Sequence, residues 1–388
     1  MDDFDKIVDF HNLYNSCLTS LKGKGKKKSA AKFNVMALEH LCVMKNQLLS
    51  RTYKISPYSE FVVSEPKRRI IKSGSFRDKV LQHCLCDYVL LPAMKDIFIK
   101  DNYAGQIGKG TLFGLNRLSE NLLDYYGKHG SDGYILKCDV RKYFDNIDHA
   151  VLKERLARFP DERVKALLFD IIDSHNADTG KGLPLGNQSS QWFALYYLDG
   201  LDRLIKERFR IKYYTRYMDD LVLVHENKEV LKECLAEMRA YAENTLLLTF
   251  NEKTQLFPVS SGVDYVGWHF YLTDTGKVIR RLRTSNKRRF KRRLKAFAKA
   301  YSEGEKSFSE IRKSLASYNG HLKHGHTWKL RKKIYGDFVL THAGKDAREE
   351  AEELDAAEKA TETADFLIKK GSGGETPIEA KWSKEGEM

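Results

Sequence analysis

The 388-residue sequence predicts an α+β fold in which helices pack around antiparallel strands. Two apolar runs, 211–216 and 221–224, lie on either side of a polar turn, which is typical of a β-hairpin. Segments with helical spacing of apolar residues, such as 31–50, occur between the predicted strands. The apolar content of 42% supports a substantial core.

Helices and strands follow one another in a mixed order. Helical spacing of apolar residues predicts helices at 4–21, 31–50, 76–99, 112–126, 148–158, 161–173, 188–207, 228–244 and 285–336. Short apolar runs bounded by turn residues predict strands at 53–72 (a pair interrupted by Glu65-Pro66), 134–140, 211–224 (the hairpin), 246–250 and 263–272. Glycine-rich segments at 101–111 and 176–187 predict loops.

Charge is distributed unevenly along the chain. The sequence contains 67 Lys and Arg residues and carries a net charge of +14. Residues 343–388 contain 13 acidic and 7 basic residues, a net charge of −6, so residues 1–342 carry +20. A body this basic predicts a polyanionic partner, and nucleic acid is the first candidate. The alternative is a basic protein without such a partner.

The cysteines and the N-terminus indicate the compartment. None of the six cysteines forms a CxxC pair, so the sequence predicts neither a zinc site nor a disulfide framework, and a reducing compartment is expected. The acidic start, Met1-Asp2-Asp3-Phe4-Asp5, does not predict a signal peptide. No run of eighteen apolar residues occurs, so no membrane span or membrane partner is expected.

Three carboxylates stand at the ends of predicted strands. Asp139 ends the apolar run 134–139, and Asp219 and Asp220 form the polar turn of the hairpin. Hard divalent cations prefer oxygen ligands, and two of them about 4 Å apart can clamp the attacking and leaving oxygens of a phosphoryl transfer. The sequence therefore predicts a two-metal polymerase site with two Mg²⁺ ions, for which Mn²⁺ can substitute, and the backbone carbonyl of Val140 is a further candidate ligand.

Alternation along a strand limits this prediction. Because successive side chains point to opposite faces, only one of Asp219 and Asp220 is certain to face the metals. Taken alone, the turn is equally compatible with two acids on a surface loop. The apolar runs around it and the matching acid at Asp139 favour the metal site.

Other residues are candidates for binding the incoming nucleotide. The ring of Phe144, five residues after Asp139, can block a ribose 2′-hydroxyl, and core packing is its alternative. The loop 182–191 opens a helix, and its glycines allow the backbone to approach a nucleotide or template closely. The candidates in this loop are Leu185, Gly186 and Gln191.

Cations near these segments are candidates for phosphate binding. Lys67 and Arg69 lie on one face of the predicted hairpin 53–72, where they can grip a triphosphate, and Arg77 follows at a helix start. Lys253 can protonate the departing pyrophosphate or stabilise its charge. For each of these cations, an ordinary solvated surface position is the alternative.

The C-terminal part of the basic body offers a primer contact and a duplex contact. The glycine-bearing strand Asp264 to Phe270 can hold a primer end, with Gly267 and Trp268 as its candidate residues. A basic ridge follows on a predicted helix, where its spacing suits a nucleic-acid backbone. The candidates on this ridge are Arg288, Arg289, Arg292 and Arg293.

Residues 50–335 resemble the reverse transcriptases, because the turn with its two aspartates, Asp139 with Phe144, the cations Lys67 and Arg69, and the strand 264–270 occur in the order of that family's motifs. The resemblance implies a right-hand polymerase fold. It divides the chain into an N-terminal helical extension (1–52), fingers (53–133), a palm (134–275, with finger and palm helices at 148–207), a basic helical thumb (276–342) and an acidic helical or disordered tail (343–388).

The segment 183–191 indicates a subclass. Most reverse transcriptases carry Gln and Pro where this chain has Leu185 and Gln191, and the departure resembles the reverse transcriptases of diversity-generating retroelements. That resemblance implies error-prone cDNA synthesis from deoxynucleotides on a template-repeat RNA, with misincorporation opposite template adenines. It further implies an RNA–cDNA duplex as product, a small basic oligomeric accessory protein as partner, and the cytoplasm of a bacterial or phage-infected cell as location.

Two alternatives stay open at this stage. The chain can be another small prokaryotic reverse transcriptase, of the retron or phage-defence kind, or an RNA-binding scaffold that keeps the fold without catalysis. The segment 183–191 argues against the first alternative. Intact Asp139, Asp219 and Asp220 argue against the second, since a scaffold does not need all three.

Overall fold

The computed structural model describes residues 2–64 and 68–341, together with the backbone of two short strands beyond them. Its contacts divide the chain into two compact units, 1–261 and 262–388. The first unit contains most of the described helices and a four-stranded sheet, whereas the second contains two three-stranded sheets and three of the described helices. The observed architecture is therefore α+β, as the sequence predicts.

The helices of the first unit are α1 (Asp3–Val8), α2 (Phe10–Leu21), α3 (Lys28–Val35), α4 (Ala37–Leu49), α5 (Phe76–Leu85), α6 (Leu91–Met94), α7 (Thr111–His129), α8 (Tyr143–Asn146), α9 (His149–Leu156), α10 (Glu162–Asp173), α11 (Gln188–Tyr197), α12 (Asp199–Arg203) and α13 (Lys228–Asn244). Its strands are β1 (Ser59–Val63), β2 (Arg69–Ser73), β3 (Tyr134–Asp139), β4 (Tyr213–Tyr217), β5 (Asp220–His225) and β6 (Gln255–Pro258). A two-stranded antiparallel hairpin, β1–β2, stands apart from the larger sheet.

The larger sheet positions the acidic residues. Its strand order is β4-β5-β3-β6, and every neighbouring pair is antiparallel. Residues 221–224 of β5 are all buried, which is the pattern of a central strand covered on both faces. Helix α7 packs against β4, and α13 packs against β3 and β5. The sheet is thus held rigidly inside the core of this unit.

Aspartates begin two of the helices that follow β3. The side chain of Asp148 accepts hydrogen bonds from the amides of Ala150 and Val151 at the start of α9. Asp161 does the same for Arg163 and Val164 at the start of α10. These bonds satisfy amide groups that have no partner within the helix. Asp148 is therefore the N-cap of α9.

The second unit has its own sheet and helices. Strands β7 (Val263–Tyr265), β8 (Trp268–Leu272) and β9 (Val278–Leu282) form an antiparallel sheet in that order. The helices are α14 (Thr284–Ser302), α15 (Phe308–Leu322) and α16 (Trp328–Gly336). Strand β10 (Val339–Leu340) pairs with β12 (Thr376–Glu379), which also pairs with β11 (Leu367–Ile368). The rest of the predicted acidic tail lies outside the described residues.

Several predicted elements have different limits in the structure. The predicted strand 246–250 is wrong, because the amides of Leu246 and Leu248 bond back to the last turn of α13 and Leu247 has a positive φ of 52°. Further along the chain, Gln255–Pro258 form β6 instead.

Two predicted helices are also divided in the structure. The predicted helix 76–99 is interrupted by a π-helical turn, Cys86–Leu90. The basic region 285–336 forms three helices, and Ser307 starts the second with a reciprocal capping box.

The described helices include none with the length and apolarity that a membrane span requires.

Two glycines of α7 provide a matched test of packing in the first unit. A Cβ at Gly114 would lie 1.9 Å from the ring of Tyr103, whereas a Cβ at Gly127 would meet no atom within 4 Å. We expect Gly114→Ala to lower the free energy of unfolding by about 1–3 kcal/mol, because the buried ring has no room to move.

We expect the matched variant Gly127→Ala to raise the free energy of unfolding by up to about 1 kcal/mol, because alanine favours the helix. Urea denaturation of both variants measures the difference. Equal effects of the two substitutions would contradict the packing of Gly114 against Tyr103.

Candidate active site

The paired aspartates lie in a two-residue hairpin turn. Tyr217, the last residue of β4, pairs with Asp220, the first residue of β5, which leaves Met218 and Asp219 in the turn. Met218 has a φ of 55°, a left-handed conformation that is unfavourable for a side chain of this kind. The turn therefore holds Met218, the residue before Asp219, in a conformation that its surroundings must stabilise.

The end of β3 lies beside this turn. Asp139 is directly opposite Asp220 in the antiparallel register of β3 and β5. One residue further on, the amide of Val140 donates to the carbonyl of Asp219 at 3.3 Å. Asp139 thus meets the adjacent pair Asp219 and Asp220 at one edge of the sheet, although it is far from them in sequence.

Electrostatics distinguish Asp219 from its neighbour. Burial, and then the nearby charge of Asp139, raise the pKa of Asp219 from 3.8 to about 6, while the cations Lys137 and Arg69 act in the opposite direction. Asp219 and Asp139 therefore face each other closely enough for their charges to repel. Such a pair is stabilised when a cation lies between the carboxylates.

Asp220 faces a cation of the protein itself. The ammonium group of Lys137 forms an ion pair with Oδ1 of Asp220. Lys137 and Asp139 share one face of β3 because they are two residues apart on a strand. In this arrangement Asp219 faces Asp139, while Asp220 is paired with Lys137.

Sequence reasoning missed Lys137 and a second residue, Asn251. The Asn251 amide donates to the backbone carbonyl of Asp139 at 2.7 Å, and its side-chain Nδ2 donates to Oδ2 of the same residue at 3.3 Å. The sequence did contain a signal for Lys137, because residues two apart on a strand point to the same face and Lys137 is two residues before Asp139. Asn251 had no such signal, since only the folded chain brings the segment after α13 to the end of β3.

The predicted residue Lys253 lies close by in sequence. Its side chain is exposed, and its amide donates to Oδ1 of Asn251 at 3.1 Å. Its proposed contact with pyrophosphate stays a prediction.

The donor atoms at this edge fit a divalent cation. The carboxylates of Asp139 and Asp219 supply the hard oxygens that such ions prefer, and Asn251 fixes the orientation of Asp139. Within residues 2–64 and 68–341, no group of three or more His, Cys, Asp or Glu side chains is already arranged as a metal cluster. The third acid, Asp220, is engaged by Lys137 instead.

The two described phosphate-binding candidates of this region, Arg69 and Arg77, have different environments. Arg69 is exposed on β2 and lowers the pKa of Asp219, so its charge acts on the carboxylate site. Lys67 lies outside the described residues. Arg77 stacks on the ring of Tyr53 at 4.5 Å and donates to the carbonyl of Lys54 at 2.7 Å. Of the described pair, Arg69 is the cation that acts on the acidic edge.

The loop before α11 lies against the β1–β2 hairpin. Gly186 has a φ of 129°, and a Cβ at this position would lie 3.0 Å from the carbonyl of Lys72 in β2. Leu185 is half-buried beside it. The amide of Leu183 donates to the carbonyl of Phe144 at 2.8 Å, so the loop joins β2 to α8.

Phe144 and Gln191 lie at the two ends of this loop. Phe144 is half-buried, with its ring 5.7 Å from the ring of Tyr143. Gln191 approaches the turn that carries Asp219: a Cβ built on Gly105 would lie 3.2 Å from Oε1 of Gln191 and 3.7 Å from Cε of Met218. The loop therefore runs between the hairpin that carries Arg69 and the turn that carries Asp219.

Gly267 and Trp268 occur in the second unit. Val266 and Gly267 both have positive φ values, 43° and 86°, and form the tight turn between β7 and β8. The carbonyl of Gly267 accepts a hydrogen bond from Nδ2 of Asn286 at 3.0 Å. Trp268 is fully buried against Gly325, so it is a core residue of this unit, whereas Val266 and Gly267 in the turn are half-buried.

The predicted basic ridge lies on α14. Arg288, Arg292 and Arg293 are exposed, and Arg289 is partly buried. Phe290 and Leu294, on the other side of the helix, are buried in the unit. Helix α14 therefore presents a cationic face to solvent, as its spacing predicts.

A pH dependence follows from the Asp139–Asp219 pair. Because the pKa of Asp219 is raised on folding, the folded protein binds a proton more tightly than the unfolded chain between about pH 4 and pH 6. We expect the metal-free protein to lose stability as the pH rises through this window. Asp219→Asn should reduce this loss and increase the free energy of unfolding near neutral pH.

Urea unfolding in the presence of a chelator, at about pH 4 and about pH 7, tests this expectation. Asp145→Asn is the control, since Asp145 is an exposed aspartate on α8 and the substitution is the same. Identical pH slopes for wild type and Asp219→Asn would contradict the repulsion.

The chain was compared with protein families, curated proteins and solved structures. The family profile described as reverse transcriptase (RNA-dependent DNA polymerase) matches residues 66–270. No curated protein matches the chain. Similar solved structures include apo telomerase from Candida tropicalis, both truncated from the C-terminal domain (15% identity, TM-score 0.44) and without that truncation (14% identity, TM-score 0.43). Another is telomerase from Candida albicans in complex with a TWJ fragment of telomeric RNA (11% identity, TM-score 0.43).

These structural similarities are distant. The match to the truncated Candida tropicalis structure covers 61% of this chain and 59% of that chain, and the match to the other Candida tropicalis structure covers 58% and 47%. The match to the Candida albicans structure covers 69% of this chain and 55% of that chain. The family match is the stronger result, because it includes more than half of the chain together with Asp139, Asp219 and Asp220. The chain belongs to the reverse transcriptase family, and its α+β architecture is the right-hand polymerase fold of that family.

Proposed function

We propose that this protein is an RNA-directed DNA polymerase that works with two divalent cations, Mg²⁺ or in its place Mn²⁺. The observation that carries the proposal is the meeting of Asp139, Asp219 and Asp220 at the end of β3, where burial and then the charge of Asp139 raise the pKa of Asp219. Repelling carboxylates are costly unless a cation binds between them, and family members generally use divalent metal ions.

The protein's own residues have separate roles in this proposal. Bound cations would activate the primer hydroxyl and neutralise the triphosphate. Asp139 and Asp219, with the carbonyl of Val140, hold the cations, and Asn251 orients Asp139. Asp220 is a further ligand once Lys137 releases it. Its present pairing supports a site that is completed only when substrate and metal arrive.

Nucleotide selection is assigned to the residues around this site. Arg69 and Lys67 bind the triphosphate, Phe144 excludes a ribose 2′-hydroxyl, and Lys253 stabilises the leaving pyrophosphate. The turn at Gly267 contacts the primer. The exposed arginines of α14 bind the RNA–cDNA duplex, because a cationic helix face attracts a phosphate backbone without reading its sequence.

The finer proposal is an error-prone enzyme of a diversity-generating retroelement, copying a template-repeat RNA with misincorporation opposite adenines. It rests on Leu185, which lies in the loop between the Arg69 hairpin and the catalytic turn. A Gln in this loop can hydrogen-bond to a nucleotide or template, whereas the aliphatic side chain of Leu can make only van der Waals contacts. Selection of the correct base then depends on fewer polar contacts.

The proposal extends to the partner and location that such an enzyme requires. A small basic accessory protein, present as an oligomer, assembles with the polymerase in the cytoplasm of a bacterial or phage-infected cell. The net charge of −6 on residues 343–388 is complementary to a basic partner, which supports the tail as its contact. The described helices also include none that could span a membrane.

The first test is loss of incorporation in Asp219→Asn combined with Asp220→Asn. We expect primer extension on an RNA template to fall by at least about 1,000-fold, because two charged metal ligands are removed. Binding of an RNA–DNA duplex should persist, because the arginines of α14 are untouched. Retained synthesis would contradict the site assignment.

A complementary control is Arg288→Gln combined with Arg292→Gln. This variant should weaken duplex binding. The slope of the logarithm of the binding constant against the logarithm of the salt concentration should become shallower by about two, since two phosphate contacts are lost. At saturating duplex, its extension rate should stay near that of wild type.

The second test addresses the error-prone subclass. Wild-type cDNA made on an adenine-containing RNA template, with and without the accessory protein, should contain errors concentrated opposite adenines. We expect Leu185→Gln to lower that error frequency by about tenfold, because one added hydrogen bond contributes about 1 kcal/mol or more to base selection.

Leu123→Gln is the matched control, since Leu123 is an exposed leucine on α7 and the substitution is the same. Faithful wild-type cDNA would favour the retron or phage-defence alternative. Absence of cDNA under every condition would favour the scaffold.

A further inference from the structure

We propose that a buried ion pair, Asp202–Arg216, is a positioning device for the catalytic carboxylate of Asp219. The pair touches neither a substrate nor a metal. It acts through the backbone of the turn that carries Asp219. The effect of this pair on catalysis rests on the proposed polymerase function. Its effect on the conformation of the turn can be tested separately.

The Arg216 guanidinium is held rigidly. Both Arg216 and Asp202 are fully buried. Nε of Arg216 donates to Oδ1 of Asp202 at 2.7 Å and Nη2 donates to Oδ2 at 2.5 Å, which is a bidentate geometry. The hydroxyl of Tyr214 donates to Oδ1 of Asp202 at 2.6 Å, and Nη2 of Arg216 also donates to the carbonyl of Leu195 at 3.3 Å.

The remaining end of the guanidinium reaches the catalytic turn. Nη1 of Arg216 donates to the carbonyl oxygen of Met218 at 3.0 Å. That carbonyl belongs to the same planar peptide group as the amide of Asp219. Fixing this oxygen therefore fixes the orientation of the peptide plane that joins Met218 to Asp219. The carbonyl on the other side of Asp219 accepts from the amide of Val140, so both flanking peptide groups are held.

The turn needs this support because Met218 has a φ of 55°. A left-handed conformation costs of order 1–3 kcal/mol for a residue other than glycine, and it persists only where the surroundings determine it. Without the Arg216 contact, the turn has alternatives in which Asp219 points away from Asp139. The geometry thus connects a buried ion pair to the direction of a metal-binding carboxylate.

The backbone of Arg216 is also fixed from outside the hairpin. Its amide donates to the carbonyl of Asp101 at 2.9 Å, and its carbonyl accepts from the amide of Tyr103 at 3.4 Å. The segment around Asn102 thereby continues the sheet as a short parallel bridge to β4. Arg216 is therefore held at both its backbone and its side chain.

Stability alone is a weak reason for such a pair. A buried ion pair is often no more stabilising than well-packed apolar residues of similar volume. An arginine is required for the geometry, because its planar fork can bind Asp202 with one edge and reach Met218 with the other end. Lysine has a single ammonium group and cannot satisfy both partners at these distances.

The primary experiment compares Arg216→Lys with wild type by hydrogen–deuterium exchange in the absence of metal and nucleic acid. We expect exchange in the peptide spanning Met218 to Leu221 to accelerate by about tenfold or more, while exchange in β3 stays unchanged. Direct Mn²⁺ binding, followed by electron paramagnetic resonance of the bound ion, should weaken by about tenfold.

Single-turnover extension measures the catalytic consequence. We expect the rate to fall by about 10- to 100-fold, with no more than about a twofold change in the dissociation constant of the RNA–DNA duplex. The matched control is Arg155→Lys, because Arg155 is a partly buried arginine that donates to a backbone carbonyl, that of Tyr196, away from the turn. The control should leave turn exchange and Mn²⁺ binding unchanged.

A double variant covers the case in which Arg216→Lys does not fold. Asp202→Leu combined with Arg216→Met removes both buried charges and keeps apolar volume. The proposal predicts a folded protein with rapid exchange at the turn and weakened Mn²⁺ binding. Wild-type exchange and Mn²⁺ affinity in either folded variant would overturn it. If wild type makes no cDNA, the proposed function fails, yet exchange at the turn still decides the positioning role.

Discussion

The antiparallel register of β3 against β5 is the constraint on which the candidate site depends. This register sets Asp139 opposite Asp220 and brings the amide of Val140 to the carbonyl of Asp219. A shift of one residue would move Asp139 to the other face of the sheet, because side chains alternate along a strand. Such a shift would turn Lys137 and Asp139 toward the face on which Leu136 and Cys138 are buried, where charged groups are costly.

The site is built at the expense of local stability. Burial and the charge of Asp139 raise the pKa of Asp219, and Met218 is held in a left-handed conformation. Both features are unfavourable in the metal-free protein, and the surrounding sheet and the Asp202–Arg216 pair hold them in place. Lys137 limits the repulsion by pairing with Asp220. A site of this kind gains stability when a cation binds, because the carboxylates then have a shared partner.

The loop 183–191 lies between the β1–β2 hairpin and the acidic edge of the sheet. It approaches β2 at Gly186, α8 at Leu183 and the turn near Gln191. A substitution in this loop therefore acts where the hairpin of Arg69 and the turn of Asp219 come together. This location is the physical basis for the role in base selection that we propose for Leu185. In the second unit, the exposed cations of α14 carry the sequence-independent attraction for nucleic acid that we propose.

The sequence by itself predicted the α+β class, the β4–β5 hairpin and Asp139 as the partner of the turn. Apolar runs, turn residues and the period of two are local signals, so they can be recognised without the fold. The strand predicted at 246–250 was wrong because its residues fold back onto the end of α13, and β6 formed later in the chain. Its apolar composition fitted both conformations, and the hydrogen bonds to α13 decided between them.

Only the tertiary structure decided the partners of the acids. It paired Asp220 with Lys137, brought Asn251 to Asp139 and buried Arg216 against Asp202. It also engaged Arg77 with Tyr53 and buried Trp268 in the second unit, although both had been candidates for ligand contact. These contacts join residues that are distant in the chain. No local pattern encodes them, because the directions of the side chains depend on how the strands and helices pack.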